Sequence, residues 1–240
     1  MNLILDIGNS TVKVATFNAN KMVKKEVVEH SQLIHHLNTI NFKKGIVSNV
    51  GNVELENKVL SACSSIIQMS SSLKLPIQSS YSSMETIGND RLANAVGAFV
   101  EKQNSNSLVI DAGTCLTFDF IDSTNCYKGG AISPGLRMRF KALNTFTEKL
   151  PLLHTSSEKS QLVGNNTNSS IVSGVVNGMV GEIVNTIASY RSKYTALTIF
   201  MTGGDTEFLQ SIVGIEKNGI FALENLTLKG LNNILETNVS

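Results

Sequence analysis

Cysteine is scarce and unpatterned. Cys63, Cys115 and Cys126 are the three in 240 residues, and no two form a CxxC pair. An odd number without that spacing argues against a disulfide framework or a structural zinc site, and for buried or incidental thiols. Charge is sparse as well: charged residues make up 16% of the chain, the formal net charge is +1, and Lys and Arg form no long block. The basic stripe of a nucleic-acid-binding protein is therefore missing. The amino terminus lacks the basic start and small-residue cleavage site of a signal peptide, and Asp6 interrupts its apolar run. No stretch reads as apolar over the length needed to cross a bilayer. Neither GxxxxGKS/T nor GxGxxG occurs, which removes the P-loop and dinucleotide-fold routes to a nucleotide. The serine-rich stretch has no GxSxG, and the adjacent His35 and His36 would point in different directions on a helix. The expectation is a reduced, cytoplasmic protein with no nucleic-acid or membrane partner.

What the chain has is apolar material, 42% of its residues, enough for one large domain or two compact ones. Leu3 to Leu5 read as a buried strand, Gly8-Asn9 as a turn, and Thr11 to Phe17 as a second strand. A third strand and a helix are expected before Lys44, then a buried strand over Gly45 to Val50. Ser70 to Ser83 is loop-like. From Arg91, the residues Leu92, Val96, Phe99 and Val100 fall at helical spacing. The polar run Gln103 to Ser107 marks a boundary, dividing the chain into halves of residues 1–106 and 107–240. Beyond it come strands at Leu108 to Ile110 and Leu116 to Ile121, and a third leading to Gly129-Gly130. A helix follows from Ile171 to Tyr190, then a last strand, Leu197 to Met201, ending at Gly203-Gly204.

Two of these segments repeat each other. LILDIGNSTVKVATF from Leu3 aligns without gaps to LVIDAGTCLTFDFI from Leu108, matching Asp6 to Asp111 and Gly8 to Gly113. One strand-Asp-x-Gly turn is weak evidence, because Asp and Gly are common turn formers. Two at equivalent points suggest internal duplication. Such a turn exposes backbone N–H groups that can wrap phosphate oxygens, with Ser10, Thr11 and Thr114 adding hydroxyls and Lys13 a cation. An aspartate beside phosphate is repelled by it unless a hard cation or its waters intervene, so Asp6 and Asp111 are candidate metal-side residues. The plain alternative is that both merely cap turns. Two such hairpins suggest the actin-like sugar-kinase and heat-shock-ATPase superfamily: an α/β fold of two duplicated ribonuclease H-like halves, mixed sheets flanked by helices, with ATP in the cleft. Thr202-Gly203-Gly204-Asp205 fits an adenosine-admitting turn, or a structural one.

With those residues in place, the chain resembles type III pantothenate kinase over nearly its full length. Asp6-Ile7-Gly8-Asn9-Ser10 matches the first phosphate motif, with serine where threonine is usual. Gly88-Asn89-Asp90-Arg91 matches the substrate motif GxDR, and Asp111-Ala112-Gly113-Thr114, followed by Thr117 and Asp119, matches the second phosphate motif. Gly129 to Gly135 matches GGxIxPG, and Thr147 to Pro151 matches Thr-x-Lys-Leu-Pro.

The resemblance implies transfer of the ATP γ-phosphoryl group to the primary hydroxyl of pantothenate, the first step of coenzyme A synthesis. It implies Asp90 as catalytic base, with Arg91, Tyr81, Gly88, Asn89 and Thr167 as substrate contacts. The ATP contacts implied are the first turn, Asp6 through Val12 and Lys13, together with Thr114, Gly203 and Gly204. Asp111 would hold a monovalent cation, potassium or ammonium, and Asp6 would face Mg²⁺, directly or through water. A homodimer is implied too. Close approach of a partner backbone would justify Gly174, Gly178 and Gly181 in the last long helix, as would a kink or packing on the chain's own sheet. Without the resemblance, Gly-Asn-Asp reads as a helix cap before a solvated arginine, and Gly164 to Thr167 as another cap. The alternatives in function are a kinase of another small hydroxylated metabolite and a non-catalytic, nucleotide-binding regulator of the same fold.

Overall fold

The computed structural model describes residues 1–154, 160–213 and 219–239. They form two compact units: Met1–Asn104 with Thr124–Lys128 and the chain from Asn225 onward, and Ser105–Ser123 with Gly129–Glu224.

In the first unit β1 (Asn2–Ile7), buried along its whole length, pairs antiparallel with β2 (Thr11–Asn18) and parallel with β4 (Lys44–Asn49). β3 (Lys21–Glu29) lies outside β2 and β5 (Ile66–Gln68) outside β4, giving the order β3-β2-β1-β4-β5. A fully apolar strand belongs at the centre of a sheet covered on both faces, whereas β2 alternates at its start because one face meets solvent. The short helix α1 (Leu33–Leu37) and α2 (Val53–Ala62) follow β3 and β4, and their Leu33, Leu37, Leu55 and Val59 complete a core with Leu3, Leu5 and Val47. On α3 (Asn89–Glu101), every residue from Arg91 to Ala98 is buried.

The second unit repeats the plan. β7 (Ser107–Ala112) pairs antiparallel with β8 (Cys115–Ile121) and parallel with β10 (Thr198–Thr202), in the order β11-β10-β7-β8-β9, with β9 spanning Cys126–Pro134 and β11 Ile220–Ala222. The first two residues of β9 also pair with β6 (Gln78–Ser79). Both halves thus share one strand order, with an antiparallel neighbour on one side of the central strand and a parallel one on the other, the duplicated ribonuclease H-like arrangement. The helices are α4 (Leu136–Thr145), α5 (Thr167–Lys193) and α6 (Thr206–Val213).

Four points depart from the sequence reading. The gapless repeat is out of register after its turn. Asp6 faces Lys13, but Asp111 faces Thr117, so the second turn is one residue shorter. A one-residue slip would exchange the faces of the strand, taking Leu116, Phe118 and Phe120 out of the apolar cluster they share with Leu108 and Ile110 and turning Thr117 and Asp119 toward it. Second, β9 continues through Gly129-Gly130 to Pro134 rather than ending there. It does so because Gly129 has φ +94° and a Cβ at Gly130 would lie 1.6 Å from the Phe118 carbonyl oxygen. Third, α7 (Leu226–Asn238) folds with the first unit although it follows the boundary at 106. Asn2 Nδ2 donates to Asn232 and Glu236, Lys44 Nζ to Glu236, and Thr227 Oγ1 to Asn94 at 2.8 Å. Fourth, α5 is long and apolar enough by length and composition to cross a membrane. Glycines and serines between its aliphatic residues hide that run in the sequence. One such helix is weak evidence for a span, and Ile171, Val175, Val176, Met179, Ile183 and Ile187 are buried in the core of the second unit.

Candidate active site

Asp6 stands near the end of β1, where the strand runs into the turn Gly8–Ser10. The turn closes with a hydrogen bond from Gly8 N–H to the Thr11 carbonyl, 3.0 Å. The Asp6 side chain is 12% exposed, and Lys13 Nζ lies 3.5 Å from its Oδ2. Burial raises the Asp6 carboxyl above the usual range, the Lys13 ammonium pulls it partly back, and the charge of Asp90 raises it further. Strand pairing places Lys13 opposite Asp6, so the ion pair follows from register alone. Ser10 and Thr11 are exposed.

Asp90 is the second residue of α3. The residue before the helix is Gly88, which supplies no side-chain cap. Asp90 Oδ1 accepts from the Arg91 N–H at 2.8 Å and takes over part of that duty. A Cβ at Gly88 would lie 2.5 Å from the same oxygen, so glycine clears room for the carboxylate. Asp90, Gly88 and Asn89 line a cavity of about 510 Å³ with Asn49, Gln68 and Ser70. Asn89 Nδ2 donates to the Met69 carbonyl at 3.1 Å.

Arg91 is not the solvated arginine of the capping alternative: it is 5% exposed. Its guanidinium carbon lies 6.0 Å from the centroid of the Tyr81 ring, and that ring lies 5.9 Å from Tyr127. The first unit therefore brings Tyr81 together with Arg91, and Asp6 within electrostatic reach of Asp90, although 84 residues separate the two aspartates in sequence.

In the second unit the turn Gly113-Thr114 is crossed closely by two glycines. A Cβ at Gly135 would lie 2.3 Å from the Gly113 carbonyl oxygen, and one at Gly203 would lie 2.4 Å from that of Ala112 and 2.5 Å from Asp111 Oδ1. Gly203 also has φ +101°, which gives it a backbone reason to be glycine without any ligand. Gly204 has open space around it. Asp111 is thus held against the backbone of two turns. Burial raises the carboxyl of the neighbouring Asp205, partly offset by Arg137. Behind the turn, Thr117 Oγ1 donates to the wholly buried Asp119.

Thr167 is the first residue of α5, and the cap there is a box between Asn166 and Ser169. Thr167 is exposed beside a groove of about 1140 Å³ with Pro134, Met138, Phe146 and Gly174. Arg139 ties this region together, donating to the Pro134 carbonyl at 2.8 Å, to Ser133 Oγ at 3.0 Å and to Glu182. Among the described residues, nothing beyond the helix's own neighbouring backbone comes within 4 Å of a Cβ placed at Gly174, Gly178 or Gly181. Packing of those glycines on the chain's own sheet is therefore excluded, and α5 runs on through them as one helix of 27 residues.

Sequence reading passed over His30, at the exit of β3, whose ring reaches the Gly8 carbonyl. Its place is set by strand pairing, which sequence does not show: with Glu29 opposite Thr11, the next residue passes the turn.

The sequence profile of the type III pantothenate kinases matches residues 2–189. A type III pantothenate kinase of Christiangramia forsetii is 41% identical over 99% of both chains. Among solved structures, a conserved Baf family protein from Campylobacter jejuni superposes with a TM-score of 0.67 at 21% identity, covering 98% of each chain. A glucokinase from an Antarctic psychrotroph does so at 0.52 and 15%, again over 98% of each. These two establish the fold, that of the actin-like sugar kinases, and the sequence matches establish the rest: the chain belongs to the type III pantothenate kinase family.

Proposed function

We propose that this protein transfers the γ-phosphoryl group of ATP to the primary hydroxyl of pantothenate, yielding ADP and phosphopantothenate, in the cytoplasm and as the first step of coenzyme A synthesis. The observation that carries this reading is the opening of α3. There Asp90 faces a cavity, Arg91 is buried beside Tyr81, and Asp6 at the first turn feels the charge of Asp90.

In this reading Asp90 accepts the hydroxyl proton. The hydroxyl oxygen bonds to the γ-phosphorus as the bond to the bridging oxygen of ADP breaks. A carboxylate is a weak base for an alcohol, but phosphoryl transfer is loose and the proton leaves late, so positioning matters more than basicity. Arg91 binds the carboxylate of pantothenate, for which its planar fork is suited, and Tyr81 backs it with its ring face. Gly88, Asn89 and Thr167 complete the substrate contacts. The turn from Ile7 to Lys13 holds ATP phosphate oxygens through backbone N–H groups and the hydroxyls of Ser10 and Thr11. Thr114, Gly203 and Gly204 are further nucleotide contacts in this reading.

The residues present suit two cations. A divalent ion beside Asp6 would offset both its burial and the repulsion from Asp90, and Mg²⁺ typically takes one or two carboxylates plus substrate phosphates. Asp111, set among backbone turns, suits potassium or ammonium. Such ions supply neutralisation of phosphate charge.

The homodimer belongs to the same proposal. Its support is the exposed row Gly174, Gly178 and Gly181 on α5, with the exposed apolar Met138, Phe146 and Val184 nearby.

The test is a coupled assay with Mg²⁺ and K⁺. Wild type should consume ATP only when pantothenate is present, and Asp90→Asn should lose roughly 10²–10⁴-fold in kcat. Purified protein that leaves pantothenate unphosphorylated with both cations present would overturn the reading.

A further inference from the structure

The first turn is flanked by two segments that reach it from opposite sides. On one side β3 ends at Glu29, paired with Thr11, which carries His30 past the turn. On the other, β4 ends at Asn49, paired with Ile7, and Val50 N–H donates to the Ile7 carbonyl at 3.2 Å. The chain then enters α2, capped by Asn52. A Cβ at Gly51 would lie 2.9 Å from Asn9 Oδ1, so Asn9 rests on that backbone.

The hydrogen bonds in this region fix which ring nitrogen of His30 donates. Asn52 Oδ1 accepts from the Leu55 N–H at 3.0 Å as the cap of α2, so its amide nitrogen faces the other way. That nitrogen lies 3.2 Å from His30 Nδ1. An amide N–H only donates, hence Nδ1 accepts and carries no proton. The other ring nitrogen, Nε2, lies 3.0 Å from the Gly8 carbonyl oxygen, which only accepts, and so Nε2 bears the hydrogen. The Nε2 nitrogen of His30 is thus the donor to Gly8 and Nδ1 the acceptor, an orientation set by the cap of α2.

We infer that His30 is a positioning residue for nucleotide binding, acting through the Gly8 carbonyl. In a trans peptide the C=O and the following N–H point in opposite directions. Anchoring the Gly8 carbonyl on His30 aims the Asn9 N–H away from the imidazole, as a donor for an anion. If that peptide turned over, it would show a carbonyl oxygen to the phosphate in place of an N–H. Glycine at position 8 makes such a turn-over easy, which is why an external anchor matters. The proposal rests on the reading of this turn as a phosphate contact.

The experiment compares wild type with His30→Gln, His30→Asn and His30→Leu. Glutamine places an amide N–H about where Nε2 stands, whereas asparagine reaches only as far as Nδ1. The expected result is that His30→Gln keeps KM for ATP within about threefold, while His30→Asn and His30→Leu raise it about tenfold, the worth of one hydrogen bond. KM for pantothenate should stay within about twofold in all three. Equal KM values for ATP in all four proteins, equal damage from glutamine and asparagine, or parallel rises in both KM values would each overturn the proposal. Ser10→Asp, which sets a carboxylate on the exposed turn, separates this from the underlying reading. If Ser10→Asp weakens ATP binding while His30→Leu does not, the positioning role alone fails. If Ser10→Asp leaves ATP binding unchanged, the phosphate reading fails and the proposal with it.

Discussion

Helix α7 touches α3 backbone to backbone at Gly230 and Ala93: a Cβ at Gly230 would lie 1.8 Å from the Ala93 carbonyl oxygen. Gly97 answers from α3, where a Cβ would lie 2.6 Å from the carbonyl oxygen of Leu226. Neither obstacle is a flexible side chain, so an added methyl must move a helix. Gly230→Ala is expected to lose about 3 kcal/mol of stability, at the upper end of overpacking costs, in spite of alanine's better helix propensity. Denaturant melts measure this directly. A Gly230→Ala protein as stable as wild type would show that the two helices have room to part.

Asp6 makes stability depend on pH in a direction opposite to most paired carboxylates. Its folded pKa is raised, chiefly by burial, with Lys13 lowering it and Asp90 raising it. The fold therefore favours the protonated form. That stabilisation is complete below the unfolded pKa, roughly 3.9, and is lost as pH rises through the folded value. At neutral pH, without nucleotide or metal, ionised Asp6 works against folding. Asp6→Asn is expected to raise Tm at pH 7 by ~2–4 °C, the equivalent of about 1 kcal/mol, with the gap closing as pH falls toward 4. Activity should drop at least ~10²-fold, as expected where a metal-side carboxylate is lost. Melting curves across that pH range give the answer, and an Asn variant less stable than wild type at pH 7 contradicts it.

Arg91 offers a sharper probe of the substrate end than removal of its charge. Lysine keeps the charge but loses the planar fork and the stacking surface against Tyr81. Arg91→Lys should raise KM for pantothenate by roughly 10–100-fold and leave KM for ATP nearly unchanged. Steady-state kinetics with each substrate varied in turn would show it, and equal effects on both substrates would place Arg91 in the fold rather than at the ligand.

The exposed glycine row on α5 tests the dimer. Among the described residues nothing lies within 4 Å of a Cβ at Gly178, so Gly178→Leu starts its side chain in open space. The isolated helix should gain roughly 1 kcal/mol. If the row is where two copies approach, the leucine holds them apart. Sedimentation should then report a monomer with an intact melting transition and weakened turnover of pantothenate. A Gly178→Leu dimer as tight as wild type would place the interface elsewhere.

The elements that carry the phosphate turns were legible because their signals are local. An apolar run, a glycine turn and a second apolar or β-branched run within about 15 residues specify β1 with β2 and β7 with β8, whatever surrounds them. The GNDR motif was legible as the start of a helix for the same reason. Strand register was not, because the gapless repeat differs in turn length, and only the apolar core that receives Leu116 and Phe118 chooses the face.

Asp6 and Asp111, the repeated aspartates, could be found by sequence alone, and so could the apolar pattern that surrounds them. Tertiary structure decided how they are held. Asp6 is buried opposite Lys13, within reach of Asp90, and Asp111 lies under the backbone of Gly203. It also decided that Arg91 is buried, that α7 returns to the first unit, and that His30 rather than any motif residue grips Gly8. Each depends on segments distant in the chain meeting at one point, from 22 residues apart for His30 and Gly8 to 230 for Asn2 and Asn232. No periodicity encodes such a meeting. It is set by which strands pair and which helix surfaces fit, and those are properties of the whole core.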